Sequence, residues 1–329
     1  MSIGVLQTVL PVEPLTPVES LESLIREAKE GLSFDRTISR RFVHRASVTE
    51  VFLTDAAVAG TDRFLVGAQL PRNHALYRPE ETGQCDFMLL VETVRQAGIF
   101  LSHRYHDVPI GHHFIFKALS LRISDPAALR VGCGPLAVVL DVKVVTPAGA
   151  RNPRRFDARF DMVIEVGGRE CARASAGVVV IDGIRYGRLR QRGRVAGTLP
   201  PTGRETPLYG AGAGASDDRG VLRPVPAAEA RPRPDGTWEW RLHVDPAHPG
   251  YFEHPSDHVP GMLLLEAFRQ AARRAAGDTA LTSLDADFAG FGELADDVTV
   301  EAARTGDGRV RLSASQGARI LATAVARGA

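Results

Sequence analysis

The sequence reads as α+β: two tandem domains, each an antiparallel sheet wrapped around one central helix. Three observations carry this reading. Leu89-Leu90-Val91-Glu92-Thr93-Val94-Arg95-Gln96-Ala97 recurs as Leu263-Leu264-Leu265-Glu266-Ala267-Phe268-Arg269-Gln270-Ala271, 174 positions later (263 minus 89). The register continues upstream without a gap to His74 and Tyr77, which match His248 and Tyr251; nine of the 24 positions from His74 to Ala97 equal their partners. The repeated segment is apolar almost all round, as a buried helix is, and in both copies four strand-like segments follow it.

Taken in order, residues 1–40 lie outside the repeat and hold an acidic, helix-compatible stretch from Glu19 to Gly31, read as an N-terminal extension packed on the first domain. That domain spans 41–186. His44 to Leu53 and Arg63 to Leu70 read as strands, the second from the alternation of Phe64, Val66, Ala68 and Leu70. Met88 to Leu101 is the buried helix, with Asp86 available as its cap. Phe114–Ile123, Leu136–Val145, Phe156–Val166 and Glu170–Ile181 are the following strands, separated by Asp125-Pro126, Thr146-Pro147-Ala148-Gly149 and Gly167-Gly168. Residues 187–217, rich in Arg, Gly and Pro, read as a linker, and the basic run Arg185 to Arg194 as a solvated face beside it. The second domain, 218–329, repeats the order. Trp238 to Val244 is a strand whose tryptophans read as packing, Pro260 opens a helix over Met262 to Ala272 and Gly277 closes it. Leu284–Phe291, Val298–Ala303, Val310–Ala314 and Arg319–Val325 complete the set. A sheet around a helix, twice over, is a double hotdog.

Composition narrows the function. Hydrophobic residues make up 44% and charged residues 24% of 329, enough apolar material for two sizeable cores. A formal net charge of +1 argues against nucleic acid as the main partner. No apolar run reaches a membrane span and the N-terminus carries no secretory pattern, so a cytoplasmic protein is expected. Cys85, Cys133 and Cys171 lie far apart and form neither a disulfide framework nor a zinc ribbon. His248, His254 and His258 cluster near Asp257, but the first copy keeps only His74 of that set and no H-E-x-x-H pattern exists, so no metal site is expected.

The candidate chemistry lies on the repeated helices. Glu92, Arg95 and Gln96 sit at i, i+3 and i+4, one polar stripe among leucines, and Glu266, Arg269 and Gln270 repeat it. A carboxylate and a guanidinium there lose hydration at heavy cost unless paired or put to use. Two readings compete: a self-satisfying pair that fixes packing, or a site. Gln96 and Gln270 fit a supporting role toward Glu or backbone groups, and His74, His248, Tyr77 and Tyr251 fit either loop anchoring or substrate contact.

At Val259-Pro260-Gly261-Met262-Leu263-Leu264-Leu265-Glu266-Ala267 the chain resembles the hotdog β-hydroxyacyl-ACP dehydratases, in which a proline-glycine opens the central helix and a catalytic carboxylate follows five residues after the glycine. The wider pattern, Val43-His44-Arg45, Glu50-Val51-Phe52, Thr54-Asp55, Ala68-Gln69-Leu70-Pro71-Arg72, Phe252-x-His254-Pro255 and Asp257-His258, is similar to the A-factor biosynthesis hotdog proteins, the γ-butyrolactone autoregulator synthases. That resemblance extends from residue 43 to the C-terminus, linker excepted. It implies transfer of a β-ketoacyl group from acyl carrier protein to the hydroxyl of dihydroxyacetone phosphate. Cyclisation then gives a butenolide precursor of a diffusible lactone or furan signal, with no redox or metal cofactor.

Under that reading the free N–H groups of a helix N-terminus make Gly261 the carbonyl-polarising position. Glu266 falls on the catalytic carboxylate position and Glu92 is its repeat partner. Arg269 and Arg95, and more weakly Arg72, suit the phosphate because a guanidinium fork matches its oxygens. Gln96, Gln270, His74, His248 and Tyr251 complete the candidate substrate contacts. The basic run Arg185 to Arg194 could help dock an acidic carrier protein. Two alternatives stand beside this: a hotdog acyl-ACP dehydratase or thioesterase, and a non-catalytic acyl-binding regulatory protein. In the first copy Phe87 replaces the helix-opening glycine, which favours the second half, and Glu266 over Glu92, for chemistry.

Overall fold

A strand with one face against a helix alternates in burial, as Leu136–Val145 does by burying Val138, Leu140, Val142 and Val144 in turn. The computed structural model describes residues 17–147, 151–152, 155–193, 222–224, 236–277 and 279–328. Its elements are α1 (Pro17–Glu30), β1 (Leu53–Gly60), β2 (Arg63–Leu70), α2 (Phe87–Tyr105), β3 (His113–Ile123), β4 (Leu136–Val145), β5 (Arg151–Asn152), β6 (Arg155–Val166), β7 (Arg169–Ile181) and α3 (Gly183–Gly193) in the first part. The second part has β8 (Leu222–Pro224), β9 (Trp238–Leu242), α4 (Gly261–Ala276), β10 (Leu281–Phe288), β11 (Val298–Arg304), β12 (Val310–Gln316) and β13 (Arg319–Gly328).

All strands join one 13-stranded sheet. From its middle the order runs outward as β3-β7-β6-β4-β2-β1 on one side and β10-β13-β12-β11-β9-β8 on the other, with β5 beside β6. Each strand except β5 therefore has a repeat partner at the same distance from the β3–β10 seam, where Ser120 faces Asp285 in antiparallel register. The two halves form a double hotdog about a pseudo-twofold at that seam. α2 and α4 lie under the sheet and touch each other, and α1 packs against β1 and β2 through Ile25 and Ala28, with Leu32 just beyond its end.

Two expectations change. His44 to Leu53 is not a strand: Arg40–Val43 and Val48–Glu50 are single 3-10 turns, and pairing starts only at Leu53. His44 takes a left-handed backbone (φ 54°), which no strand accommodates, and the Ser47 hydroxyl caps the next turn through the Thr49 N–H. The expected linker begins later than its composition suggests, because 187–193 continue α3. Residues 194–217 of that linker lie outside the described residues. Among the described residues no helix is long and apolar enough to cross a membrane.

Candidate active site between the two halves

On α2 the Glu92 carboxylate is fully buried and saturated. It accepts from Arg95 Nε (2.7 Å) and NH2 (2.8 Å), from Gln96 Nε2 (2.7 Å), and from both Nε and NH2 of Arg45. Burial alone would favour the neutral acid, but Arg45 and Arg95 override it and hold the carboxyl at about 2. Gln96 completes the cluster by donating to the Glu50 carbonyl and accepting from the Phe52 N–H. The two guanidiniums share Glu92, Arg45 also lies 3.7 Å from the buried Glu253 carboxylate, and Arg45 and Arg95 both border a cavity of about 1090 Å³.

The opposite wall of that cavity comes from the other half. Gly261 and Met262, the first residues of α4, line it, and Pro260 at the N-cap offers no side chain to the helix N-terminus. The Leu263 N–H donates to the Pro260 carbonyl at 3.0 Å, and the Gly261 and Met262 N–H groups are left for a ligand, with the helix dipole behind them. Leu264, Leu265, Ile99 and Leu119 give the same space an apolar stretch.

The pseudo-symmetric counterpart is closed. Asp86, the repeat partner of Pro260, caps α2 by accepting from the Met88 N–H at 2.7 Å, and Phe87 stands where Gly261 does. Burial raises the Asp86 carboxyl to about 7, partly offset by Arg269. Opposite it, Glu266 accepts from Arg269 (2.7 and 2.5 Å) and from Gln270 (2.8 Å), while Glu80 of the first half receives Arg273 at 3.0 Å and lies 3.6 Å from Arg269. Duplication has thus left one open site, built from the α4 N-terminus, Arg95 of α2 and Arg45 of the preceding loop, and a counterpart occupied by Asp86 and Glu80.

At the cavity wall Asp257 gathers a second polar group. Its Oδ1 accepts from His258 Nδ1 and from the Tyr186 hydroxyl, each at 2.7 Å, and its Oδ2 from Arg190 Nε at 3.1 Å. Arg190 also makes a two-pronged pair with Glu293 at 2.9 Å and lies over the Phe291 ring. Tyr186 and Arg190 come from α3, so the basic run is not simply a solvated face: Arg190 is 4% exposed. Composition hid this. The available signal was the i, i+4 spacing of Tyr186 and Arg190, which sets both on one face of a helix.

The model of the A-factor biosynthesis hotdog domain matches residues 27–182 and 223–329. The chain belongs to this family. It is 34% identical over 288 residues to a 2-oxo-3-(phosphooxy)propyl 3-oxoalkanoate synthase of Streptomyces virginiae, covering 85% of this chain and 93% of that one. A Streptomyces coelicolor protein of the same description is 31% identical over 253 residues, covering 76% of each. Among solved structures an acyl-ACP thioesterase from Bacteroides thetaiotaomicron aligns with a TM-score of 0.48 at 10% identity, covering 80% of this chain and 97% of that one.

Of the residues singled out from sequence, this A-factor biosynthesis hotdog protein brings Arg95, Gly261 and Tyr251 to the cavity, with Glu92 directly behind Arg95. Glu266, Arg269 and Gln270 do not border it; they belong to the closed counterpart, because α4 turns its first turn and its polar stripe toward different neighbours. His74 and His248 anchor loops, each Nδ1 accepting from two backbone N–H groups: Leu76 and Tyr77, and Gly250 and Tyr251. Arg72 donates to the Cys133 carbonyl at 2.9 Å on the surface. Sequence reasoning quoted Arg45 only within the family pattern and gave it no role, since it lies outside the repeat's strongest segment.

Proposed function

We propose that this protein is an acyltransferase that joins a β-ketoacyl thioester to the hydroxyl of dihydroxyacetone phosphate. The product is a 2-oxo-3-(phosphooxy)propyl 3-oxoalkanoate, which cyclises to a butenolide precursor of a diffusible lactone or furan signal. The observation that carries this reading is a single cavity in which an uncapped helix N-terminus faces two arginines tethered to one carboxylate. The first suits a developing oxyanion at a thioester carbonyl; the second suits a phosphate dianion. The acyl chain occupies the apolar stretch beside α4. The relatives bear the name of this product, which supports the choice of acceptor.

In this reading the acyl donor is carried by acyl carrier protein in the cytoplasm, and the reaction consumes no redox or metal cofactor. Arg185 and Arg188 on α3, with Lys117 on β3, offer positive charge to an acidic carrier. The test is mass spectrometry of the products after incubation with a β-ketoacyl carrier protein, with and without dihydroxyacetone phosphate. The proposal requires release of the carrier thiol together with the phosphorylated ester or its cyclised product. Release of free β-keto acid at the same rate without acceptor would make it a thioesterase, and an unchanged thioester would leave only acyl binding.

A further inference from the structure

We propose that His258 is the general base of the acyl transfer, oriented by Asp257 and by the α3 side chains Tyr186 and Arg190. The proposal rests on the acyl-transfer reading. Its geometric basis is a matter of proton placement. A carboxylate that already accepts from the Tyr186 hydroxyl (2.7 Å) and Arg190 Nε (3.1 Å) accepts a third time from His258 Nδ1 (2.7 Å), so Nδ1 carries the proton. Nε2 then holds the lone pair, and it has no partner among the described residues. The ring stands edge-on to Phe291 at 4.9 Å and borders the same cavity as Gly261, three positions further on. A carboxylate fixing the tautomer of an imidazole whose other nitrogen is free is the orienting logic of hydrolase triads.

Two other titratable groups at the site, Glu92 and His44, are less suited. Glu92 has its oxygens occupied by two arginines and a glutamine, and stays ionised. His44 is hydrogen-bonded through Nε2 to His103 Nε2 (2.8 Å), and burial pushes it down to about 3, a weak base. Burial opposes ionisation of Asp257, but the His258 and Tyr186 hydrogen bonds hold its carboxyl below the usual range, which keeps the negative charge that an imidazolium would need beside it. The dyad also follows the asymmetry of the site: in the closed half its repeat partners are Gly83 and Gln84.

The step balances without a further reagent. The acceptor hydroxyl gives its proton to His258 Nε2 as its oxygen bonds to the thioester carbonyl carbon. The carbonyl π electrons move onto oxygen, toward the Gly261 and Met262 N–H groups at the start of α4. Collapse of that intermediate breaks the C–S bond, and the imidazolium returns the proton to the departing thiolate. An ester and a free carrier thiol result.

The experiment compares native protein, His258→Gln, His258→Ala and Asp257→Asn by single-turnover thiol release from 3-oxooctanoyl-acyl carrier protein with dihydroxyacetone phosphate. We expect both His258 variants to lose about 10²–10⁴-fold in rate, the usual worth of a general base, with KM for dihydroxyacetone phosphate little changed. Asp257→Asn should lower kcat in the same direction, again at unchanged KM, because an amide can donate to Nδ1 and so place the proton on Nε2. Free imidazole should restore part of the His258→Ala rate and none of the His258→Gln rate, since only alanine leaves room for it. A His258→Gln rate within about threefold of native would overturn the proposal, as would absence of imidazole rescue in folded His258→Ala should the glutamine variant not fold. Failure of the native protein to transfer the acyl group at all would overturn the acyl-transfer reading itself, and the role of His258 with it.

Discussion

Glu92→Gln is the most informative single change, because it removes one charge and almost no volume from the centre of the open site. In the native protein the carboxyl falls from the ordinary 4.5 to about 2, and at about 1.4 kcal/mol per pH unit that gap is worth roughly 3 kcal/mol. An independent figure agrees: removing one partner of a buried ion pair costs about 3–5 kcal/mol, since the partner charges stay behind. Here both Arg45 and Arg95 stay, with side chains 9% and 13% exposed, and the new NH2 group points a donor at donors. At about 2–4 °C per kcal/mol for a domain of 150–250 residues, thermal melts at pH 7 should fall by roughly 6–12 °C. The sign with pH follows from the depressed value. The Glu92 contribution is fully present above about 4.5 and is lost as pH falls toward about 2. The native–variant gap, read from urea melts, should therefore shrink from pH 5 to pH 3. A gap below about 1 kcal/mol at pH 7, or one that does not narrow on acidification, would refute the account of Glu92 as a saturated tether for two arginines.

Other expected outcomes concern the two half-sites. Arg95→Lys should bring the kinetics with dihydroxyacetone phosphate and with unphosphorylated dihydroxyacetone together, because the charge remains but the fork is lost; Arg269→Lys, outside the cavity, should keep the preference. An undiminished preference in Arg95→Lys would count against a phosphate role. Gly261→Ala places a methyl 3.4 Å from the Phe288 ring and beside the first-turn N–H groups; turnover should drop about tenfold while the melting temperature barely moves. Asp86→Asn keeps an oxygen for the Met88 N–H but removes a carboxyl raised to about 7. A raised acid costs folding stability as pH climbs from about 4 to about 7, so the native protein should lose stability across that window and the variant should not. Parallel native and variant pH curves there would contradict the buried placement of Asp86.

What the sequence determined by itself is whatever periodicity and duplication encode locally. The 174-position offset and the shared order of elements specify two equivalent halves, and alternation along β4 and β6 specifies which faces are buried, whereas β2 is buried on both faces because α1 covers it. The left-handed turn at His44 escaped because φ is set there by the neighbouring 3-10 turns, with no glycine to mark it. Tertiary structure alone decided the site. Glu92 and Glu266 read alike on their helices, yet only packing shows that Arg45 arrives beside Glu92 and Glu80 opposite Arg269. Only packing shows that the α4 N-terminus opens onto the same cavity as Arg45 and Arg95, and that α3 folds back to hold Asp257 through Tyr186 and Arg190. The physical reason is range. Hydrophobic periodicity is written in neighbours a few residues apart, whereas Arg45 reaches Glu92 from 47 positions away and Arg273 reaches Glu80 across the two halves from 193 positions away.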